Sequence, residues 1–175
     1  PQELYELPRT AFVANFLGQS NLFVGTVVAS SGPSLTVDVA GIKLTVPVDR
    51  AQRHSGDVTI GVRPEKLVLH TSAPAASPGT NVLGPGVVTD VSFSGVSTQY
   101  QILIPGVGAV SVFAQNMVVG PVVNTGAEVW VSWTADHGFG LLDEPESLPK
   151  FSADSSTAAI AVQTKEDLLA EIEEA

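Results

Sequence analysis

The sequence is poor in several residue types, and each shortage excludes a class of structure or chemistry. It contains no cysteine, which excludes disulfide bonds and thiolate nucleophiles or ligands. No apolar run approaches the ~20 residues that a membrane-spanning helix needs. Aromatic residues make up only 6% of the chain, and Lys and Arg together number eight. This composition argues against nucleic-acid binding, which requires a basic groove with stacking aromatic side chains.

The formal net charge of −10 is unevenly distributed along the chain. Residues 1–142 hold nine acidic and six basic residues, whereas residues 143–175 hold nine acidic and two basic residues. The acidity is therefore mostly that of a C-terminal tail, and the body is nearly neutral. A body without a basic stripe has no electrostatic attraction for nucleic acid or for an anionic membrane surface.

The sequence also lacks the common catalytic motifs. No G-x-x-x-x-G-K-[ST] phosphate loop occurs, because none of the four lysines follows a glycine-rich loop. No G-x-S-x-G nucleophile motif occurs either. The three histidines, His54, His70 and His137, lie far apart without metal-ligand spacing. We interpret them as surface or turn residues rather than as a metal site or a general base.

What the chain does contain is typical of an all-β protein with many turns. Hydrophobic residues make up 44%, valine is frequent, and there are 16 glycines and 12 prolines. The organising stretch is Asp57–Leu69, DVTIGVRPEKLVL. Its apolar residues alternate up to Val62, which predicts a strand. Pro64 then removes a backbone donor and favours an extended Arg63, so the strand should end and a new direction begin at Leu67–Leu69.

Strands are predicted throughout the first third of the chain. The candidates are Leu22–Ser30, Ser34–Val39, Ile42–Val46 and Asp57–Val62. Turns at Ser30–Pro33 and Ala40-Gly41 separate the first three. The second turn is tight, so Thr36–Val39 and Ile42–Thr45 should pair antiparallel.

The strand pattern then repeats. Asn21–Val27 resembles Asn81–Val87, 60 residues later, and Ser55–Val62 resembles Thr125–Ser132. Each copy ends in a short apolar exit, at Leu67–Leu69 or Leu141–Leu142. We predict two duplicated β-units, 21–70 and 81–142, joined by the proline-rich linker 71–80. Units this small should share one core.

Both ends of the chain differ from this body. Residues 1–20 are predicted as a helical connector, interrupted at Pro8, with Phe12, Val13, Phe16 and Leu17 as an apolar face. Residues 143–175 are predicted to form an acidic tail with a short helix at Leu168–Glu174. Because the chain begins at Pro1, we expect a longer parent chain.

Two groups of residues are site candidates on their side-chain chemistry. Arg63, Pro64 and Glu65 flank the predicted bend, where a charge-assisted hydrogen bond or a local ion pair would fix the strand exit. Trp130 and Trp133 are three apart on a strand and should face opposite sides, one in the core and one exposed. An exposed tryptophan is a candidate interface anchor, and so is Tyr100.

Three segments together resemble a known family. Pro1–Leu22 is similar to the segment that leaves the nucleotide-binding domain in ATPase subunits of ABC importers. The GVRPEKLVL stretch, residues 61–69, resembles the hallmark of their oligonucleotide-binding-like TOBE barrel. Residues 87–95 with Thr98–Tyr100, and then Val131–Trp133, resemble the polyamine and ferric-iron branch. In that pattern Phe93 and Gly95 join Tyr100 as candidate interface or ligand contacts.

The resemblance implies a regulatory and dimerisation domain rather than an enzyme. ATP and Mg²⁺ would bind to a parent ATPase whose catalytic part precedes Pro1, and this part would need no cofactor. The implied partners are a second copy of the subunit, membrane permease subunits and a small solute such as spermidine or putrescine. The implied location is cytoplasmic, at the inner face of the cell membrane.

A rival hypothesis is a free-standing barrel that binds a small oxyanion. Such a site needs amide nests or hydroxyl groups, which Ser92, Ser94 and Ser97 could supply. An enzyme on the same barrel would lack an acid–base constellation.

Overall fold

We describe the fold from a computed structural model of the chain, which defines residues 2–9, 14, 18–116 and 123–142. The predicted apolar face of the second helical piece and the predicted acidic tail lie outside these residues. Among the described residues, no helix is both long and apolar enough to cross a membrane.

The described chain is all-β apart from one short N-terminal helix, the helical residue Ala14 and three 3₁₀ turns. The helix α1 is Gln2–Glu6. The strands are β1 Asn21–Ser31, β2 Ser34–Val39, β3 Ile42–Pro47, β4 Asp57–Val62, β5 Val68–His70, β6 Thr80–Phe93, β7 Ser97–Ile104, β8 Gly108–Gln115, β9 Glu128–Thr134 and β10 Phe139–Leu141. The 3₁₀ turns are Val48–Arg50, Pro64–Lys66 and Ala135–His137.

The strands predicted in the first third are confirmed to within one residue at each end. The predicted β2–β3 hairpin is also confirmed, because Val39 pairs with Ile42 and Thr36 with Thr45. Arg63 is extended, as predicted for a residue before proline, with φ −73° and ψ 142°. The chain then changes direction through a 3₁₀ turn before β5.

The two halves of the chain build two five-stranded sheets with equivalent strand orders. The first sheet runs β10-β4-β1-β2-β3 and the second runs β5-β9-β6-β7-β8. The long strands β1 and β6 each carry a bulge, after Val27 and Val88 respectively. Gly25 and Gly86 occupy matching positions beside the neighbouring strand. A Cβ atom on Gly25 would lie 2.5 Å from the Asp38 carbonyl oxygen, and one on Gly86 would lie 3.0 Å from the Leu103 carbonyl oxygen. Glycine at both positions therefore permits the close approach of the neighbouring strand.

Each half donates its last strand to the other half. Strand β5 follows the first four strands in sequence but pairs with β9, where Leu69 lies opposite Val131. Strand β10 ends the second half but pairs with β4, where Gly140 lies opposite Ile60. Because of this exchange, one continuous hydrophobic core contains buried residues of both halves. The predicted shared core thus has a topological cause as well as a hydrophobic one.

Two buried asparagines tie each sheet to the edge of the other. Asn21 Nδ2 donates to the Ser111 carbonyl oxygen at 2.8 Å, and the Ser111 N–H donates to Asn21 Oδ1 at 2.8 Å. Asn81 makes the same pair of bonds with Thr45, at 2.8 and 2.7 Å. Ser111 lies on edge strand β8 and Thr45 on edge strand β3. Each side-chain amide therefore satisfies a peptide group that the edge of the sheet would leave unpaired.

The structure corrects two details of the predicted repeat. Gly25 is equivalent to Gly86 and Val27 to Val88, so the predicted alignment of Asn21–Val27 with Asn81–Val87 is wrong by one residue after Leu83, because β6 has one extra residue between Leu83 and Gly86. The pairing of Asn21 with Val62 and of Asn81 with Trp133 makes Val62 equivalent to Trp133, a separation of 71 residues. The sequence comparison aligned Val62 with Ser132 and is wrong by one residue. The cause is an extra turn residue before β9. In the first half the Val27 N–H donates to the Gly56 carbonyl oxygen. In the second half the equivalent Val88 N–H donates to the carbonyl oxygen of Ala127, one residue after the turn glycine Gly126.

Candidate functional site

Arg63 forms the most extensively bonded side-chain site in the described part of the protein. It is only 3% exposed, because Tyr5, Ala14, Gly18 and Ser20 lie against it at the end of β4. Its Nη1 donates to the carbonyl oxygens of Ala14 and Gly18, at 2.7 and 2.8 Å, and to Ser20 Oγ at 2.7 Å. Its Nη2 donates to the Tyr5 carbonyl oxygen at 3.0 Å. The guanidinium thus binds one segment at several separate points.

Tyr5 and Glu65 extend this contact towards the surface. The Arg63 guanidinium carbon lies 4.2 Å from the centre of the Tyr5 ring, within the range of a cation–π interaction. The Tyr5 hydroxyl donates to Glu65 Oε1 at 2.6 Å. That hydrogen bond, followed by burial and the charge of Glu65, raises the pKa of Tyr5 above its usual value of 10.0.

Other bonds also join the N-terminal segment, which we define as the described residues 2–9, 14 and 18–20, to the barrel. Arg50 bridges the two, since its Nη2 donates to the Glu6 carbonyl oxygen and its Nε to the Gly138 carbonyl oxygen, both at 2.8 Å. The Leu142 N–H donates to the Arg9 carbonyl oxygen at 2.8 Å. A small apolar cluster lies beneath these bonds and consists of Leu7, Ala14, Leu22, Phe139 and Leu141.

The Arg-Pro-Glu motif therefore acts across the chain rather than within the bend. In the described structure Arg63 and Glu65 make no bond to each other, and both contact the N-terminal segment. Pro64 is buried and begins the 3₁₀ turn that separates them. The motif is thus the surface on which the N-terminal segment docks.

A second candidate site is a groove of about 1060 Å³ beside β5, β7 and β8. Phe93 and Tyr100 line it from the β6–β7 hairpin, while Phe113 and His70 line it from β8 and β5. Phe93 is 72% exposed, whereas Tyr100 is 8% exposed and belongs to the core. Gly95 forms the exposed turn of this hairpin with a φ of 76° and lies outside the groove lining.

The two tryptophans differ in environment. Trp133 is buried and stacks on Phe23, with ring centroids 6.0 Å apart and planes inclined by 21°. Trp130 is half-buried and lies over Gly84, where a Cβ atom would come within 2.5 Å of its ring. Trp133 is therefore a core residue, and Trp130 is the partly accessible member of the pair.

The histidines and serines of the other hypotheses make separate local contacts, although His70 and Ser97 both line the groove. His54 contacts backbone carbonyl oxygens of Val48 and Ala51, and His70 contacts Ser132 Oγ at 2.7 Å. Ser94 and Ser97 bond to each other across the hairpin turn at 2.8 Å. No group of three or more His, Asp or Glu side chains with metal-binding geometry is found in the described ranges.

Sequence reasoning missed the roles of Asn21, Asn81 and Tyr5. The asparagines carried a signal, because each opens one copy of the repeat. A buried polar residue at the same position of two copies indicates a repeated hydrogen-bonding role. Tyr5 carried no such signal, since its partners lie about 60 residues away in sequence.

Comparisons with known proteins relate a large part of the barrel to a known family. The sequence profile of the TOBE domain matches residues 60–141. The spermidine/putrescine import ATP-binding protein PotA of Frankia alni is 36% identical over 157 residues, covering 83% of this chain and 33% of that protein. PotA of Rubrobacter xylanophilus is 34% identical over 140 residues, covering 78% and 35%. The chain thus spans about a third of the length of the curated relatives it matches.

Two further similarities concern the solute branch of the ABC importers and the fold. The Fe(3+) ions import ATP-binding protein FbpC of Vibrio cholerae is 39% identical over 71 residues, 41% of this chain and 19% of that protein. The crystal structure of the cytoplasmic molybdate-binding protein ModG with molybdate bound superposes with a TM-score of 0.57. It shares 21% identity and covers 69% of this chain and 94% of the ModG chain, a likeness of fold. Residues 60–141 therefore belong to the TOBE domain family, and the chain resembles the ATP-binding subunits of spermidine/putrescine importers.

Proposed function

We propose that this chain is the regulatory part of an ATP-binding subunit of an ABC importer, and that the imported solute is a polyamine. The observation that carries the proposal is the similarity of about four fifths of the chain to proteins named as spermidine/putrescine import ATP-binding proteins. The shorter match to a ferric-iron importer subunit makes iron the competing solute.

The proposed role is non-catalytic. The parent subunit would bind ATP and Mg²⁺ in a part that precedes the N-terminal segment. This barrel would contact a second copy of itself in a subunit dimer, and the subunits would bind the permease at the cytoplasmic face of the membrane. The barrel could then bias the ATPase between open and closed states only through contacts that differ between those states.

The first test examines the parent gene. The complete coding frame should contain a phosphate loop and a signature segment upstream of this barrel. Cells that lack the gene should lose uptake of labelled spermidine or putrescine, and the complete gene should restore it. Loss of ferric-iron uptake with normal polyamine uptake would identify ferric iron, and not a polyamine, as the imported solute. A frame without a phosphate loop would overturn the proposed function.

A second test asks whether the barrel itself binds the solute. Calorimetric titration of this chain with spermidine and putrescine would release heat if the barrel senses polyamine directly. Absence of heat at millimolar ligand would restrict the barrel to dimerisation and coupling. Heat with molybdate and none with polyamines would favour the oxyanion-binding rival instead.

A further inference from the structure

We infer that two copies of this chain can exchange halves, so that the surface through which the two halves of the barrel meet is also an interaction surface for a second copy. The first half is residues 21–70, and the second half is the described residues 80–116 and 123–142. An exchanged pair would contain two barrels, each built from the first half of one copy and the second half of the other. The inference gives a structural form to the dimer of the proposed function, and it rests on that function only for what brings two copies together.

The first step is that each half is incomplete as a sheet. In the described sheets, β5 belongs to the first half but pairs with β9, and β10 belongs to the second half but pairs with β4. Without the opposite half, β5 and β10 would have no partner strand, and β4 and β9 would each present an unpaired edge. An unpaired edge pairs readily with a strand of another chain. A second copy presents the missing strands in the same register.

The second step is that the contacts between the halves are specific. The ring of Phe23, in the first half, stacks on Trp133, in the second half. Trp133 occupies the position that Val62 has in the first half, so a second copy of the first half would not fill this part of the core. The two asparagine pairs described above lie across the same surface. Because an unpaired buried amide is costly, these bonds hold the halves in one arrangement.

The third step is the weak attachment of the linker between the halves, residues 71–79. Every linker residue except Pro74 is exposed. Among the described residues, the hydrogen bonds of the linker involve the carbonyl oxygens of Ser77 and Gly79, which accept from the N–H groups of Thr80 and Ala135. Both donors belong to the second half, so these bonds do not fix the linker to the first half. A linker of this length spans at most about 30 Å when extended, enough to carry the second half to an adjoining barrel.

The fourth step is the balance between a single barrel and an exchanged pair. Both forms contain the same strand pairs, the same core and the same asparagine bonds, so they differ mainly in the linker conformation and in the freedom lost on association. A short linker gives the two halves of one copy an effective concentration on the order of millimolar. A dilute chain therefore closes on itself, and exchange is expected when copies are present at a comparable concentration. Two copies held in one subunit dimer would meet that condition.

The first test introduces a single cysteine into each of two copies, because the natural chain contains none. Leu69 in β5 lies opposite Val131 in β9. Directly opposed residues of antiparallel strands are within reach of a disulfide bond. Chains with Leu69→Cys and chains with Val131→Cys are mixed in denaturant, refolded together at about 1 mM and oxidised. A disulfide between the two variants requires β5 of one copy to lie beside β9 of the other.

The matched control is a mixture of Leu69→Cys with Val37→Cys. Val37 is as buried as Val131 but lies in β2, which does not pair with β5 in the described sheets. On a denaturing gel we expect the covalent heterodimer to be at least about tenfold more abundant in the first mixture, because cysteines more than about 7 Å apart cannot be bridged. Equal yields in the two mixtures, or no heterodimer in either, would overturn the exchange.

The second test uses complementation between damaged halves. Ile60→Asp and Val131→Asp each place a carboxylate in the core, at positions that are 1% and 0% exposed, in the first and the second half respectively. In an exchanged pair of these variants, one barrel carries both substitutions and the other carries neither. Refolding an equal mixture should therefore restore near-ultraviolet circular dichroism to about half of the value of the natural chain.

The control for complementation is a mixture of Ile60→Asp with Leu44→Asp, which is also fully buried. Both substitutions lie in the first half, so no exchange yields an intact barrel. A complementary mixture that gains no more signal than this control would contradict the exchange. Both experiments use this chain without ATP or solute, so their failure would leave the proposed function untouched. A parent gene without a phosphate loop would overturn the proposed function and leave a positive disulfide result standing.

Discussion

Each half of the barrel has a row of four cross-strand neighbours at equivalent positions, but the side chains in the two rows differ in polarity. In the first sheet the row is Asp57, Thr26, Asp38 and Lys43, and in the second it is Glu128, Val87, Leu103 and Ala109. The first row is joined by a hydrogen bond from Thr26 to Asp57 and an ion pair between Lys43 and Asp38. The second row leaves Val87 and Leu103 about half exposed.

The inward-facing positions of the same strands did not diverge in this way. Val37 and Ile102 are equivalent, as are Val46 and Val112, and all four are buried. Both sets point into one core, so each half must fill the space that the other leaves. Outer positions face solvent and have no such constraint. The duplication therefore preserves the core and leaves the surfaces free to acquire different contacts.

The Arg-Pro-Glu motif is a second difference between the halves. Its equivalents in the second half are Thr134, Ala135 and Asp136, which lie at the matching 3₁₀ turn. Thr134 cannot bind several carbonyl groups as Arg63 does. Among the described residues, only the first half therefore binds the N-terminal segment through a guanidinium at this turn.

The largest effect is expected at the core pair Val62 and Trp133. Trp133→Ala should lower the free energy of unfolding by about 3–5 kcal/mol, the usual range for a large buried aromatic side chain. Val62→Ala should lower it by about 2 kcal/mol, because it removes fewer buried carbon atoms. Guanidinium denaturation followed by circular dichroism measures both values. Equal losses of unfolding free energy would show that the loss does not follow the size of the deleted side chain, and would contradict equivalent packing roles for Val62 and Trp133.

The asparagine pairs should give the next largest effect. Asn21→Ala and Asn81→Ala each leave a peptide N–H and C=O without a partner, and each such group costs about 1–3 kcal/mol when buried. We expect similar losses at the two sites, of about 2–4 kcal/mol. Asn124→Ala is the matched control, since Asn124 is exposed. A loss at only one site would break the equivalence of the two sheet edges.

The local turns made the first half predictable. Gly32-Pro33 and Ala40-Gly41 separate short alternating strands, so the sequence near each strand was sufficient to find its ends. The same was true of the bend at Pro64, where backbone sterics act over two residues. The predicted repeat was correct in kind, but one extra residue between Leu83 and Gly86 and one extra turn residue before Glu128 shifted its alignment.

The contacts that organise the site could not be predicted in this way. The pairing of β5 with β9 depends on strands about 60 residues apart, and the short apolar exits alone do not show which edge they join. Arg63 was recognised as a motif residue, yet its acceptors are backbone carbonyl groups, which carry no side-chain signature. Sequence patterns specify strands well and non-local polar contacts poorly.

A smaller effect should distinguish the side of the barrel with the Tyr5–Glu65 hydrogen bond at alkaline pH. The hydrogen bond to Glu65 raises the pKa of Tyr5, so the protonated hydroxyl is favoured when the segment is docked. This contribution is fully present below pH 10.0, the unfolded value, and is lost as pH rises through the folded pKa. Ultraviolet titration of tyrosinate, with Tyr5→Phe subtracted, measures it. Glu65→Gln should shift the pKa of Tyr5 back down, and an unchanged titration would contradict the role of Glu65.

The smallest effect should come from the exposed ion pair of the first hairpin. Lys43 and then the Gly41 N–H, at 2.9 Å, lower the pKa of Asp38 from its usual 3.8. The resulting stability is present above pH 3.8 and is lost as pH falls through the folded pKa. The variant Lys43→Ala gives the first half the residue that the second half has at the equivalent position, Ala109. We expect the pKa of Asp38 to rise in a carbon-detected NMR titration, while unfolding at neutral pH hardly changes, because exposed ion pairs contribute little. A large loss of stability at neutral pH would mean that the polar row of the first half stabilises its sheet. The outer row would then not be free to vary, contrary to what the apolar row of the second half suggests.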